Sequence, residues 1–227
     1  MTKYIPHKPT AKQAAFLLLP VREALYGGAA GGGKSDALLM GALQYVDTPG
    51  YSAILFRQTY SDLALPGALM DRAREWLAPF LESKEVRWDE KSKTYTFPSG
   101  ATVTFGYLEH DNDRFRYQSA EFQYVGFDEL TQFSERNYRY LFSRLRRLTG
   151  SSVPIRMRSA TNPGGDGHEW VKRRFLLEGP GKGRIFIPAK LEDNPFLDKE
   201  LYEQSLDELD IVTREQLRHG NWDIRDE

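Results

Sequence analysis

Residues 28–35 have the types and the spacing that phosphate binding requires. They read GAAGGGKS, so that four residues separate Gly28 from the run Gly33, Lys34 and Ser35. Glycines let successive backbone N–H groups turn toward phosphate oxygens, Lys34 adds a positive charge, and the Ser35 hydroxyl is a suitable ligand for Mg²⁺. The pattern predicts a nucleotide site of the phosphate-loop (P-loop) type; a flexible glycine linker is the weaker alternative. The residues expected to bind nucleotide here are Gly28, Ala29, Ala30, Gly31, Gly32, Gly33, Lys34 and Ser35.

A second pair of chemically useful side chains follows a mostly apolar stretch. Residues 122–127 read FQYVGF and lead into two adjacent carboxylates, Asp128 and Glu129. Because parallel strands end at one common edge of a sheet, this pair can meet the P-loop. Asp128 is then expected to hold Mg²⁺, and Glu129 to orient and deprotonate an attacking water, as in a hydrolase. The alternative is an Asp-Glu turn that only ends a strand.

Two other polar positions give weaker signals. The amide of Gln13 matches the donor and acceptor edge of adenine, although a solvated helical glutamine is the better explanation from chemistry alone. Residues 159–162 read SATN and follow a predicted strand. Their hydroxyl and amide groups could sense a γ-phosphate, but a turn rich in Asn, Pro and Gly is also typical of any loop.

The elements that must position these groups alternate between strands and helices. Strands are predicted at 22–26, 51–56, 122–127, 155–160 and 184–187, and helices at 35–46, 65–81, 134–148 and 170–177. A capped helix is expected to start near Thr10, and a polar helical tail to follow residue 193. Segments 88–97 and 101–107 flank Pro98-Ser99-Gly100 and predict an inserted β-hairpin. The pattern predicts an α/β fold with a mainly parallel central sheet flanked by helices.

The predicted helix at 134–148 is rich in arginine. It carries a single acid, Glu135, and the arginines are Arg136, Arg139, Arg144, Arg146 and Arg147. These side chains suit DNA phosphates or the γ-phosphate of a neighbouring subunit. A solvated helix face explains them equally well.

The composition is that of a soluble globular protein. The 227 residues are 40% hydrophobic and 28% charged, with a net charge of −1. No apolar run approaches the ~18 residues of a transmembrane helix, and the first ten residues lack the apolar core of a signal peptide. The absence of cysteine excludes disulfides and thiolate metal sites. Because the net charge is close to zero, any nucleic-acid partner must bind to a local patch of the surface.

The ordered set of motifs resembles the ATPase domain of the large terminase subunit of tailed bacteriophages, a motor that packages DNA. The matching pieces cover nearly the whole chain, and they are PTAKQAAFLL, GGAAGGGKS, FRQT, RFRYQSAEFQYVGFDE, SATNP, the DNP-to-Tyr202 segment and LRHGNW. The P-loop and the Asp-Glu pair are widely shared, whereas SATNP and the tail are more particular to terminases. The resemblance implies a RecA-like, additional-strand (ASCE) P-loop NTPase with a small C-terminal helical lid or linker segment.

The resemblance also implies roles for single residues. Gln13 would read adenine, and Glu129 would be the catalytic carboxylate. Arg116 is a candidate arginine finger that acts from the next subunit of a ring, with Arg114 as the second candidate. Many terminases carry an arginine in the P-loop where this chain has alanines, which puts more weight on arginines outside the loop. The implied coupling motif, which links hydrolysis to movement, is Ser159, Ala160, Thr161 and Asn162.

The expected organisation is one ATPase domain over residues 1–227, with a core at about 1–190 and a helical tail at about 191–227. The family's nuclease domain is expected to be absent, so no DNA cleavage is predicted. The resemblance implies Mg²⁺ with ATP as substrate, and as partners double-stranded DNA, further copies of the chain in a ring, a capsid portal protein and a small terminase subunit. It places the protein in the host cytoplasm, docked on a procapsid during packaging and away from membranes.

Two other functions share parts of this pattern. A RecA-like helicase or translocase would need a second RecA-like domain or its own arginine motifs, for which 227 residues leave no room. A regulatory module that only binds nucleotide would not need the Asp-Glu pair. The sequence therefore favours a hydrolytic motor domain.

Overall fold

The computed structural model describes residues 1–31, 33–193 and 198–224. Its strands are β1 (Glu23–Gly28), β2 (Ser52–Arg57), β3 (Arg87–Asp89), β4 (Thr94–Thr96), β5 (Thr102–Tyr107), β6 (Tyr124–Asp128), β7 (Arg156–Thr161) and β8 (Arg184–Ala189). Its α-helices are α1 (Ala11–Leu17), α2 (Lys34–Leu43), α3 (Tyr60–Leu63), α4 (Leu69–Glu82), α5 (Glu135–Phe142), α6 (His168–Val171), α7 (Lys199–Leu206) and α8 (Ile211–His219).

The strands form one sheet in the order β3-β4-β5-β2-β6-β7-β1-β8. The neighbouring pairs β5–β2, β2–β6, β6–β7, β7–β1 and β1–β8 are parallel, whereas the pairs β3–β4 and β4–β5 are antiparallel. Strand β7 lies between β1, which leads into the P-loop, and β6, which ends in the Asp-Glu pair. This additional strand is the one that the ASCE fold requires, so the predicted α/β fold is confirmed.

The core covers both faces of the sheet because residues alternate along each strand. On β2, Ala53 and Leu55 pack with residues of α2 and α4, whereas Ile54 and Phe56 pack with residues of α5 on the other face. Helix α2 is buried along most of its length, which explains why its sequence is apolar almost all round. The P-loop is thus attached to a helix that the core holds firmly.

A close approach fixes α2 against β6. A Cβ atom at Gly41 would lie 2.7 Å from the Tyr124 hydroxyl oxygen, so only glycine fits here without a shift of that ring. The same hydroxyl donates a hydrogen bond to the Leu38 carbonyl over 2.7 Å. Because α2 begins at Lys34 and β6 ends at Asp128, this contact helps to set the distance between the P-loop and the Asp-Glu pair.

The structure corrects the helix predicted at 134–148. Helix α5 ends at Phe142, and the chain then turns so that Leu145 forms a parallel bridge with Phe122. The Phe122 N–H donates to the Arg144 carbonyl and the Arg146 N–H donates to the Phe122 carbonyl, both over 2.9 Å. These ladder hydrogen bonds replace helical ones, so Arg144, Arg146 and Arg147 do not lie on a helix with Arg136 and Arg139.

Other boundaries differ in smaller ways. The hairpin is confirmed as β4 and β5, but β5 also pairs in parallel with β2, so the hairpin forms the edge of the central sheet. The predicted strand at 88–97 is divided into β3 and β4 by a turn in which Lys93 has φ 54°. The helix predicted at 170–177 begins earlier as α6 and continues as a π-helical turn at Lys172–Leu177. Helices α7 and α8 form the expected tail, whereas Asn194 and Pro195 of its DNP motif lie outside the described residues.

Candidate nucleotide site

The P-loop connects β1 to α2 and has the glycine conformations that its sequence predicts. Gly31 and Gly33 have φ of 74° and 79°, values that favour glycine. Gly28 has φ 138°, and a Cβ atom there would lie 2.6 Å from the Ala189 carbonyl oxygen on β8. Gly32 lies outside the described residues. On both sides of Gly32, the loop therefore has the backbone shape that a phosphate cradle needs.

Lys34 points back into the loop and is almost fully buried. Its Nζ donates a hydrogen bond to the Ala29 carbonyl over 2.6 Å. Burial lowers the pKa of Lys34 to about 8, and the nearby Glu129 and Asp128 carboxylates oppose this shift. Among the described residues the Lys34 ammonium forms a hydrogen bond only to a neutral carbonyl, and a phosphate group would give it a charged acceptor in direct contact.

Ser35 and Asp128 meet across the sheet edge. The Ser35 hydroxyl donates a hydrogen bond to Oδ1 of Asp128 over 3.0 Å. Burial raises the pKa of Asp128, while Arg57 and the Ser35 hydrogen bond oppose the shift. One hydroxyl and one carboxylate oxygen are hard donors of the kind Mg²⁺ takes from proteins when substrate phosphates and water supply its other ligands. The pair therefore fits the predicted magnesium site.

Glu129 follows β6 in a left-handed backbone conformation, with φ 57° and ψ 56°. For a residue with a side chain this conformation is uncommon and is often found at functional sites. Burial and the adjacent Asp128 charge both raise the pKa of Glu129. Within the described part of the chain, only burial and nearby charges act on its carboxylate, and no hydrogen bond does. A carboxylate in this state is suited to accept a proton.

The cavity next to these residues has a volume of about 310 Å³. It brings together most of the residues predicted from the sequence. Those that line it are Ala30, Gly31, Gly33, Lys34, Ser35, Asp128, Glu129, Ala160, Thr161 and Asn162. The structure thus joins the P-loop, the Asp-Glu pair and the SATN segment in one site.

The SATN segment reaches the cavity because β7 lies between β1 and β6. Ala160 is in register with Tyr26 of β1 on one side and with Asp128 of β6 on the other. Among the described residues, Ser159 Oγ and Asn162 Oδ1 are buried without a hydrogen-bond partner. The Thr161 hydroxyl donates to the Asn162 carbonyl over 2.8 Å. The segment is placed to respond to a ligand, and its coupling role stays a prediction.

Gln13 lies beside the P-loop but its amide is already engaged. Its Nε2 donates to the Gly33 carbonyl over 2.9 Å, and its Oε1 accepts the Thr10 N–H over 2.9 Å. The second contact is half of a capping box that begins α1. Gln13 therefore connects α1 to the P-loop in the free protein, and it would have to exchange these contacts to read adenine.

The two candidate arginine fingers lie away from the cavity of their own chain. Arg116 pairs with Asp113 over 3.1 Å, and its guanidinium lies 4.4 Å from the centre of the Tyr107 ring. Arg114 donates to the Asp111 carbonyl and lies over the Phe115 ring. Neither lines the P-loop cavity. A role in catalysis would require them to act on another copy of the chain.

Two arginines near the site were missed by the sequence-based predictions. Arg57 ends β2 and pairs with Oδ2 of Asp128 over 3.2 Å. Its position after an apolar strand, in the FRQT segment, was a usable signal because β2 ends at the same sheet edge as β6. Arg72 on α4 lines the cavity and pairs with Asp36 over 2.8 Å. No local pattern marks Arg72, since it is one of several charged residues on an amphipathic helix.

The C-terminal segment also contacts the P-loop. The Ala30 N–H donates to the Leu217 carbonyl of α8 over 2.8 Å. A Cβ atom at Gly220 would lie 2.6 Å from the Ala29 nitrogen, so the left-handed end of α8 packs directly on the loop. Trp222 is buried against Phe186 of β8. The tail is therefore part of the site's framework.

Fold and cavity together define an α/β P-loop protein of the additional-strand class. The family model described as "Terminase large subunit, T4likevirus-type, N-terminal" matches residues 25–227. The chain belongs to this family, which confirms the resemblance found in the sequence. None of the curated proteins matches the chain.

Solved structures of phage terminases share the fold. The large terminase of a thermophilic bacteriophage is 15% identical, with a TM-score of 0.69 over 95% of this chain and 54% of that chain. The complex of that terminase with ATP-gamma-S is 20% identical, with a TM-score of 0.66 over 95% and 53%. The large terminase ATPase domain of Thermus phage P74-26 is 16% identical, with a TM-score of 0.61 over 95% and 94%. The chain thus spans about half the length of the first protein and nearly all of the Thermus phage ATPase domain.

The described residues contain neither a cluster of metal-binding side chains nor a helix that could span a membrane. Over residues 1–31, 33–193 and 198–224, no group of three or more His, Cys, Asp or Glu side chains could hold a metal ion. In the same ranges, every helix is too short or too polar to cross a membrane.

Proposed function

We propose that this chain is an ATPase motor domain that hydrolyses ATP to drive double-stranded DNA into a procapsid. Membership of the terminase large-subunit family supports the motor role. One observation carries the hydrolytic part: Ser35, Asp128 and Glu129 line one cavity with the P-loop lysine. The relatives solved with ADP and ATP-gamma-S have the same fold, and their ligands are consistent with an adenine nucleotide as substrate.

Binding begins at the loop. Its backbone N–H groups and the N-terminus of α2 present partial positive charge to the phosphates. Lys34 gives up the Ala29 carbonyl for phosphate oxygens, which are stronger acceptors for an ammonium group. Ser35 and Asp128 would hold Mg²⁺, which when bound neutralises charge on the terminal phosphates. Gln13 would turn from Thr10 and Gly33 toward the adenine edge.

Glu129 acts on the attacking water. Its carboxylate takes a proton from the water as the water attacks the γ-phosphorus, so the products are ADP and phosphate. A raised pKa makes Glu129 a better base than an ordinary glutamate, as long as it is ionised at the working pH. The coupling segment would respond when the γ-phosphate is lost and so link hydrolysis to movement of the motor. Its residues are Ser159, Ala160, Thr161 and Asn162.

The site is completed by a second copy of the chain. Arg116, or Arg114 as the second candidate, would reach the γ-phosphate of the neighbour in a ring. This arrangement fits their distance from the cavity of their own chain. Double-stranded DNA, a capsid portal protein and a small terminase subunit are the other proposed partners, and the host cytoplasm is the proposed location. The proposed domain division has a core at about residues 1–190 and a helical tail at about 191–227.

Phosphate release from ATP tests the proposal. The chain is expected to release phosphate slowly alone and faster at high protein concentration with double-stranded DNA, and only when Mg²⁺ is present. An equal rate after chelation of divalent metal would remove the magnesium role. A chain that binds ATP but never hydrolyses it, even with DNA and the portal protein, would favour the regulatory module.

A further inference from the structure

Arg72 is the only arginine among the described residues that line the P-loop cavity. It lies on α4, in a part of the chain to which neither the motifs nor the family match gives a role. We propose that Arg72 binds the γ-phosphate of ATP within its own chain and so lets the site distinguish ATP from ADP. This inference rests on the proposed nucleotide site and adds a residue to it.

Arg72 has a hydrogen bond to a backbone carbonyl and an ion pair to a carboxylate. Its Nη2 donates to the Gly67 carbonyl over 3.2 Å, which anchors the side chain to the start of α4. Its Nη1 lies 2.8 Å from Oδ1 of Asp36, yet the two groups do not align as a hydrogen bond. Within the described part of the chain, the Nη1 donors thus have a charged neighbour but no aligned acceptor. A phosphate oxygen would be a better partner for them.

Asp36 pairs with this arginine at the cavity. It follows Ser35 directly, in the first turn of α2. Its other carboxylate oxygen lies 3.8 Å from Nε2 of His7. Asp36 is therefore a positioning residue: it holds the guanidinium at the wall of the cavity that Ser35 also lines.

The charges that line the cavity favour a second cation, besides Lys34, next to the γ-phosphate. Asp36, Asp128 and Glu129 contribute three carboxylates, whereas Lys34 and Arg72 are the basic residues of the lining. The terminal phosphate of ATP brings further negative charge, beyond what ADP brings. Lys34 is hydrogen-bonded to the Ala29 carbonyl of the loop, while Arg72 enters the cavity lining from α4. A γ-phosphate placed between them would contact both cations, and ADP would lack the group that reaches Arg72.

The test compares two nucleotides on the full 227-residue chain. Calorimetry in the presence of Mg²⁺ gives the Kd of ATPγS and of ADP for the wild type, Arg72→Ala, Arg72→Lys and Arg74→Ala. Arg74 lies on the same helix, is exposed, and is absent from the cavity lining, so it is a matched control. Removing a charged hydrogen bond predicts that Arg72→Ala weakens ATPγS roughly 10- to 100-fold and ADP by less than about threefold. Arg72→Lys is expected to lose part of this selectivity, and Arg74→Ala none.

The possible outcomes separate the inference from the function on which it rests. Equal Kd ratios in the wild type and Arg72→Ala would overturn the γ-phosphate role, whether both affinities are unchanged or both fall together. If Arg72→Ala does not fold, Arg72→Lys decides, and an unchanged ratio of the two Kd values there overturns the role. A wild-type chain that binds neither nucleotide would instead overturn the proposed function itself.

Discussion

The Ser35 hydroxyl donates a hydrogen bond to the Asp128 carboxylate over 3.0 Å, although 93 positions separate the two residues. Ser35 belongs to the first turn of α2, and Asp128 is the last residue of β6. They meet because α2 packs on β6 and because the parallel strands end at one edge. A sequence-local motif and a distant strand end thereby become a single site.

Glu129→Gln is expected to bind ATP with nearly wild-type affinity and to lose turnover. The amide has almost the same shape but cannot accept a proton from water, so the loss should be roughly 100-fold or more, on the order of that expected for general-base catalysis. Phosphate release and ATPγS binding are measured on the same preparation. Wild-type turnover in this variant would remove Glu129 from catalysis, and the exposed neighbour Glu121→Gln is the control.

Nucleotide affinity is expected to fall above pH 8. The pKa of Lys34 is lowered to about 8 in the free protein by burial, and bound phosphates would raise it. Below pH 8 the ammonium is already charged, so this group adds little pH dependence. Above pH 8 binding must take up a proton, and the Kd for ADP should rise by up to about tenfold per pH unit. Calorimetry between about pH 7 and 9.5 measures this, and a constant Kd across that range would contradict it.

The lowered pKa of Lys34 also makes the stability of the free protein depend on pH, and here stability rises above pH 8. Charging Lys34 in its buried position costs stability, and this cost is fully present below pH 8. It disappears as pH rises toward the ordinary lysine pKa of 10.5. Urea unfolding of the free chain should therefore show that Lys34→Met is more stable than the wild type at about pH 7, with the difference shrinking by about pH 10. A variant that is less stable at neutral pH would contradict the cost of the buried charge.

Gly28→Ala should destabilise the fold. Its new Cβ atom would lie 2.6 Å from the Ala189 carbonyl oxygen, and the backbone has φ 138°. We expect a loss of about 2–3 kcal/mol in the free energy of unfolding by urea, from steric overlap and backbone strain together. Gly181→Ala is the matched control, because nothing lies within 4 Å of its added Cβ atom. Equal unfolding midpoints in the two variants would show that β8 yields to the extra methyl group.

Arg116→Ala should bind ATPγS like the wild type, since Arg116 lies outside the cavity of its own chain. If it is the finger, the concentration-dependent rise in ATP turnover should disappear. Mixing this variant with excess Glu129→Gln chains should restore turnover, because a Glu129→Gln chain keeps Arg116 and can supply it across the interface to the intact Glu129 site of an Arg116→Ala chain. Undiminished concentration-dependent turnover of Arg116→Ala alone would move the finger elsewhere, with Arg114→Ala as the next variant.

Much of the site could be predicted because its motifs are local. The spacing from Gly28 to Ser35 specifies a backbone shape and a cation within eight residues. The apolar run before Asp128 predicts a strand that ends at this residue. Parallel strands bring their carboxyl ends together whatever their separation in sequence. Local pattern and topology were sufficient for these residues.

The rest depended on contacts that no local pattern contains. The arginine-rich segment has a helical pattern, but its second half exchanges helical hydrogen bonds for a bridge to Phe122. Arg72 reaches the cavity only because α4 packs beside α2, and Arg57 pairs with Asp128 because β2 and β6 are neighbours. Tertiary packing determines these features. The family resemblance gives the order of the motifs along the chain but not the contacts between them.

Binding of ATPγS with Mg²⁺ to the wild type and to Lys34→Ala tests the nucleotide site most directly. Lys34 is the one loop residue whose charge enters the cavity, so its loss removes the partner of the phosphates while leaving the buried core of α2 intact. Calorimetry should give one nucleotide per wild-type chain and no measurable heat of binding for a folded Lys34→Ala. Equal affinity in the two chains, or no binding by the wild type, would contradict the assignment of this cavity to ATP.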